Sequence, residues 1–144
     1  MMRININVLV IIIISIVQLG IYGHLHGEQR LRDFSETITV KKDAITEIKV
    51  SNLSGEYRSL TDEEQIDSVI VYFNQFNYKR LVNDQTSYMP TRTIMIYLRD
   101  DNNENFIIPY GKEVMINHKV YQVKGGELDE QFLLMIYELI DSND

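Results

Sequence analysis

The sequence predicts an α+β fold in which an N-terminal transmembrane helix precedes an antiparallel sheet with two amphipathic helices on one face. Three observations predict it: an apolar segment near the start, two segments whose apolar residues recur at helical spacing, and several short alternating segments joined by hairpin-length turns. Such short turns require antiparallel pairing, because parallel neighbours need a long crossover. We therefore expect an anchor or signal segment at 1–23, a polar neck at 24–35 and an extracytoplasmic domain at 36–144.

The segment Ile4–Tyr22 predicts a helix that crosses a membrane. Its 19 residues would span roughly 28 Å, close to the thickness of the hydrocarbon core of a bilayer. Arg3 and the amino terminus place positive charge before the segment, which favours a single pass with the N-terminus inside and the C-terminal domain outside. Two alternatives stay open. One is a cleaved signal peptide, although no A-x-A pattern precedes His24; the other is a buried helix of a soluble domain.

The charge and cysteine content of the remaining chain exclude several classes of function. From Asp33 to Asp144 there are 11 basic and 20 acidic residues, a formal charge of −9. This balance opposes binding to nucleic acid, which needs basic surface, and adhesion to anionic lipids. The chain has no cysteine, which excludes disulfides, thiolate zinc sites and a cysteine nucleophile. About 110 residues suffice for one small domain.

The first half of the domain predicts three strands and a helix. Alternating apolar residues predict strands at Thr37–Val40, Ile45–Ser51 and Glu56–Leu60. Thr61 followed by Glu64 is typical of a capping box, so a helix is expected to begin there and to continue to about Phe76. Its apolar stripe is formed by Ile66, Val69, Ile70, Phe73 and Phe76.

The second half predicts four or five strands and a closing helix. The predicted strands are Tyr78–Val82, Thr91–Arg99, Asn105–Tyr110, Glu113–Ile116 and Val120–Lys124. Pro109 lacks an amide donor, which places its end of the strand at an edge or bulge. The helix is expected at Leu128–Ile140, with Phe132, Met135, Ile136, Leu139 and Ile140 facing inward. This order looks like one half of a TATA-binding-protein-like fold with an added N-terminal hairpin, a likeness of architecture that transfers no function.

Three strings carry a resemblance to a known group of proteins. They are ITEIKVSNLSGEYRSLTDEEQIDSVIVYFNQFNYKRL, YMPTRTIMIYLRDDNNENFIIPYG and VMINHKVYQVKGGELDEQFLLMIYEL. The chain from Ile45 to Leu139 resembles a small uncharacterised domain of exported or membrane-anchored proteins from low-GC Gram-positive bacteria. The matching motifs are structural, so the resemblance implies a fold and a location and supplies no functional residue.

Three clusters of polar residues are candidate sites of chemistry. His24 and His26 form an H-x-H pair, but a metal site needs more ligands. Asp100, Asn102 and Glu104 match the start of a calcium loop, whereas the glycine and glutamate that such a loop needs later are absent. The acidic residues of 62–67 lie where a helix start favours them. We therefore predict no catalytic residue, no cofactor and no metal, with weak metal sites at His24/His26 or Asp100–Glu104 left open.

The loop Asn83–Pro90 is the best candidate for contact with a partner, because aromatic and apolar residues stand at its end. The residues expected to make that contact are Tyr88, Met89 and Pro90. We therefore expect a membrane-anchored, non-catalytic binding domain whose protein partner is unknown. The alternatives are a secreted binding or inhibitory protein and an enzyme whose site is dispersed along the chain.

Overall fold

The computed structural model describes residues 6–51, 56–87, 95–128 and 130–141. The chain divides into two compact units, Met1–Arg30 and Leu31–Asp144. Besides two short 3-10 helices (Phe34–Glu36 and Lys42–Ala44), the described residues form three α-helices and eight strands: α1 (Ile6–Gln29), β1 (Leu31–Arg32), β2 (Glu47–Ser51), β3 (Tyr57–Leu60), α2 (Glu63–Phe73), β4 (Asn77–Arg80), β5 (Met95–Arg99), β6 (Glu104–Pro109), β7 (Glu113–Ile116), β8 (Lys119–Lys124) and α3 (Glu130–Asp141).

Helix α1, which forms most of the first unit, corrects the prediction of a transmembrane anchor. Within the described part of the chain, no helix is long and apolar enough to cross a membrane. The apolar part of the helix is interrupted by a serine, a glutamine and a glycine, at positions 15, 18 and 20. The predicted transmembrane helix, signal anchor and single-pass location are therefore wrong. Membrane association of residues 4–22 is not shown.

The eight strands form one antiparallel sheet in the order β1-β4-β8-β7-β6-β5-β2-β3. Side chains of α2, α3 and one face of the sheet share a single apolar core. Its centre is aromatic: Phe34 stacks on Phe73 with ring centroids 4.5 Å apart, and Phe132 meets Phe73 edge-on at 4.9 Å. The predicted fold class is corrected accordingly, to an eight-stranded antiparallel sheet with three helices, none of which can span a membrane within the described residues.

Helix α2 begins one residue later than the sequence predicts. Its N-cap is Asp62, whose carboxylate accepts a hydrogen bond of 3.0 Å from the amide of Gln65. The predicted capping box of Thr61 and Glu64 is therefore wrong, because the neighbouring carboxylate takes the capping position. The helix ends at Phe73, and four of the five predicted stripe residues are buried within it. Phe76 is buried just beyond the helix, where its ring lies against Gly126.

The predicted strand Thr37–Val40 is absent because a side chain takes the place of a partner strand. Asn105 on β6 is fully buried. Its Oδ1 accepts hydrogen bonds from the amides of Thr39 at 2.6 Å and Val40 at 3.2 Å, and its Nδ2 donates to Thr39 Oγ1 at 2.6 Å. The first strand of the sheet is instead β1, which lies in the segment predicted as a polar neck, and Phe34 just after it is buried in the core.

The β7–β8 hairpin is closed by Asn117 and His118, which lie between the predicted strands Glu113–Ile116 and Val120–Lys124. Asn117 and His118 both have positive φ, 49° and 64°, as a two-residue hairpin turn requires. Phe106 on the neighbouring strand fixes this turn, since its amide donates to Asn117 Oδ1 at 3.1 Å and its ring meets the His118 ring at 4.7 Å. The last described pair between β6 and β5 is Ile107 with Ile96. Pro109 lies beyond that pair, so its lack of an amide hydrogen removes no hydrogen bond between these two strands.

Candidate functional site

The face of the sheet opposite the two helices carries a group of polar and aromatic side chains. Along β2 and β5, Ile48, Val50, Ile96 and Leu98 point into the core, so the alternate residues point to the other face. The register places Lys49 opposite Tyr97 and Glu47 opposite Arg99. We call this surface, formed by β3, β2, β5 and the start of β6, the open face.

A continuous chain of ion pairs crosses three strands of the open face. Glu47 lies 3.6 Å from Lys49 Nζ and 3.4 Å from Arg99 Nη1, and Arg99 Nε lies 3.1 Å from Glu104. The hydroxyl of Ser59 on β3 donates to Glu47 at 2.7 Å. Exposed pairs contribute little to stability one by one, whereas a network holds its members in a fixed arrangement. The consequence is a surface of alternating charge with defined positions.

Two tyrosines stand beside this chain of charges. The rings of Tyr57 on β3 and Tyr97 on β5 are tilted by 47°, with centroids 6.2 Å apart. Together with Lys49 and Glu104 they line a cavity of about 280 Å³. Tyr57 is 63 % exposed. Because the cavity lies at or below the lower end of the roughly 300–1,000 Å³ of small-molecule sites, the open face is better suited to a broad partner than to an enclosed ligand.

Two groups of the open face have shifted pKa values. Burial alone would raise the pKa of Glu47, but hydrogen bonds from Ser59 and Arg99 and the charges of Lys49 and Arg99 outweigh it and lower that pKa. Burial raises the pKa of Tyr97, and Tyr57 and Glu104 raise it further. Both shifts move away from neutral pH, where a general acid or base is most effective. The carboxylate therefore stays charged and the phenol stays a hydrogen-bond donor.

The described part of the predicted contact loop is tied to β8 and β7. Asp84, with φ of 46°, accepts a hydrogen bond of 3.0 Å from the amide of Val120 and pairs with Arg80 at 2.8 Å. Burial by itself would raise the pKa of Asp84, but the hydrogen bonds from Arg80 and Val120 and the charges of Arg80 and Lys119 lower it. Further along, the amide of Ser87 donates to the buried carboxylate of Glu113 at 2.7 Å.

The residues predicted to contact a partner, Tyr88, Met89 and Pro90, lie outside the described residues. His24 and His26 both fall in α1. The carboxylate of Asp100 accepts from the amides of Asn102 and Asn103 at 2.7 and 2.6 Å, which closes the turn before β6. Among the described residues, no group of three potential metal ligands occurs.

Alternation along each strand indicates that Lys49 and Tyr97 face outward, but it does not indicate that they lie beside Tyr57. They are 8 and 40 residues from Tyr57 along the chain, and they become neighbours because β2 lies between β3 and β5. Alternation indicated which residues face outward, and it carried no information about which strands are adjacent. The strand order is the signal that was missing.

No protein-family model, curated protein or solved structure matches the chain. The resemblance of residues 45–139 to an uncharacterised Gram-positive domain therefore stays a prediction.

Proposed function

We propose that the second unit is a non-catalytic binding domain that recognises another protein through the open face. The observation that carries the proposal is the Tyr57–Tyr97 pair beside the ion-pair chain of Lys49, Glu47, Arg99 and Glu104. Tyrosine and arginine are enriched in protein interfaces, since they combine a large apolar area with polar groups at its end. On the other face of the same sheet, side chains of α2 and α3 pack on the strands in the apolar core.

The form of the surface supports a protein partner over a small molecule. The rings are held by neighbouring strands of one sheet, and the ion pairs fix the polar groups around them, so little side-chain entropy remains to be lost on binding. Charges of both signs alternate across the face, which favours a partner with an equally mixed surface. The net negative charge of the domain again disfavours nucleic acid.

The test is site-specific photo-crosslinking of the full chain in its native host. A benzophenone amino acid replaces Tyr57 or Tyr97 in separate variants and, as the matched control, Val71, which is 54 % exposed on α2. We expect a discrete adduct with another protein from positions 57 and 97 and none from position 71. Introduction of Arg99→Glu should weaken the adduct from position 57, because it reverses the central charge of the ion-pair chain.

Two results would contradict the proposal. One is equal labelling from positions 57 and 71, which would mean that contact depends on exposure alone. The other is the lack of any adduct except one between two copies of the chain, at about twice its mass of 16.9 kDa.

A further inference from the structure

The cavity beside Tyr57 and Tyr97 has the size and the lining to receive a single side chain of a partner. Its volume of about 280 Å³ is small for a separate ligand, and it is accessible from solvent, since Tyr57 is 63 % exposed. The two rings are tilted by 47° with centroids 6.2 Å apart, so neither ring lies flat on the other. The cavity therefore presents aromatic surface to a group that enters it.

The charged groups at the cavity leave a carboxylate oxygen for such a group. The ammonium of Lys49 is paired with Glu47 at 3.6 Å, so its charge is balanced within the sheet. Glu104 pairs with Arg99 through Oε2 at 3.1 Å, and the Glu104 side chain is 44 % exposed. Burial raises the pKa of Tyr97, and the charge of Glu104 raises it further, so this carboxylate acts on the lining of the cavity. Its other oxygen, Oε1, can accept a hydrogen bond from an entering donor.

Aromatic rings and a carboxylate side by side are suited to a cation. The face of a tyrosine ring attracts a cation that lies within about 6 Å of the ring centre, and a carboxylate accepts a charge-assisted hydrogen bond from it. A guanidinium group meets both requirements, because it is planar, stacks on aromatic rings and carries its N–H donors at the edge. The formal charge of −9 from Asp33 to Asp144 also attracts a basic partner over longer distances.

We propose that the protein bound at the open face inserts an arginine side chain between Tyr57 and Tyr97 and donates from its guanidinium group to Glu104 Oε1. The proposed function is the premise, since the arginine belongs to that bound protein. The arginine adds the chemistry of the partner, which is a basic segment with an exposed guanidinium group. Glu104 then lies between two cations, as Glu47 already does on the same face.

Binding of a defined peptide to the full chain tests the arginine directly. The probe is Gly-Ser-Gly-Arg-Gly-Ser-Gly, blocked at both ends, and the matched control peptide carries citrulline, a neutral isostere, in place of arginine. NMR of the full chain with isotope-labelled tyrosine follows the titration. We expect the arginine peptide to bind at least about tenfold more tightly than the citrulline peptide and to shift the ring signals of Tyr57 and Tyr97. Equal affinities, or no shift at either ring, would overturn the proposal.

Substitutions separate recognition at the cavity from general attraction to an acidic protein. Tyr57→Leu removes an exposed ring and should weaken binding of the arginine peptide about three- to fivefold, whereas Tyr57→Phe keeps the ring and should retain the affinity. Glu104→Gln should weaken binding by a similar factor. Glu63→Gln, which removes the same charge from an exposed position at the start of α2, should not. Full affinity of Tyr57→Leu, or an equal loss in Glu63→Gln, would count against an arginine in the cavity.

The photo-crosslinks at positions 57 and 97 distinguish failure of the arginine from failure of the proposed function, because they report contact with a protein whatever residue it presents. If they form in the host while the two peptides bind equally, the open face binds a protein without an arginine in the cavity. If the arginine peptide binds selectively while no crosslink forms, the cavity takes a guanidinium group and the proposed function is wrong.

Discussion

The two faces of the sheet come from the same strands and differ in what their side chains do. On the helix face, Phe73, Ile96 and Leu98 are fully buried and pack in one core. On the open face, the intervening residues Tyr97 and Arg99 stay at least partly exposed and interact with residues of neighbouring strands. Alternation along a strand therefore places core-packing side chains on one face and exposed polar and aromatic side chains on the other. A substitution should therefore affect stability or binding according to the face on which it lies.

The largest expected effect is at the centre of the helix face. Phe73→Ala removes the ring that stacks on Phe34 and meets Phe132 edge-on, and it leaves a cavity in a closely packed core. We expect the free energy of unfolding to fall by about 3–5 kcal/mol, measured by urea denaturation of the full chain. The matched change on the open face, Tyr57→Ala, should alter it by less than about 1 kcal/mol. Similar losses for the two variants would contradict the division between the faces.

A smaller loss is expected where a polar side chain lies within the helix face. Asn105→Ala leaves the amides of Thr39 and Val40 without their acceptor, and the hydrogen bond of Val40 is buried. We expect a loss of about 2–4 kcal/mol in the free energy of unfolding. Thr39→Ala removes only the hydroxyl that accepts from Asn105 Nδ2, so its loss should be about 1 kcal/mol. If Thr39→Ala is as damaging as Asn105→Ala, the side chain of Asn105 does not hold the backbone of residues 39 and 40.

The smallest expected effect depends on pH and concerns the loop tied to β8. The pKa of folded Asp84 lies below its usual value of 3.8, so the charged carboxylate stabilises the fold above that value. This contribution is lost as the pH falls through the lower, folded-state pKa. Asp84→Asn should therefore cost about 1 kcal/mol near pH 7, and its difference from the wild type should shrink below about pH 4.

Arg80→Gln provides the control for this pH dependence. It removes the ion pair with Asp84 and keeps the hydrogen bond from Val120, so the pH dependence that remains should be weaker than in the wild type. Urea denaturation at a series of pH values measures both variants. A difference between wild type and Asp84→Asn that stays constant from about pH 7 to about pH 3 would contradict the role given to Asp84.

Local signals were sufficient for much of the sheet and its helices. The stripe of Ile66, Val69, Ile70 and Phe73 predicted α2, because helical spacing is read within a few residues. A turn within residues 117–119 likewise follows from the alternating segments on either side, although Lys119 already belongs to β8. Local signals failed at Thr37–Val40, which does not form the predicted strand. There the amides of Thr39 and Val40 donate hydrogen bonds to a side chain more than 60 residues away in the chain. Local signals failed also at residues 4–22, because apolar composition predicted a membrane span that no described helix provides.

The sequence by itself determined which residues of this protein alternate, where α2 and α3 lie, and that the charge of the domain is strongly negative. These properties depend on neighbours in the chain and on composition. Only the tertiary structure decided that β2 lies between β3 and β5, and hence that Tyr57, Lys49 and Tyr97 meet on one surface. The physical reason is that strand order is set by the packing of all strands and both helices around one common core. The free energy of that packing depends on the whole domain.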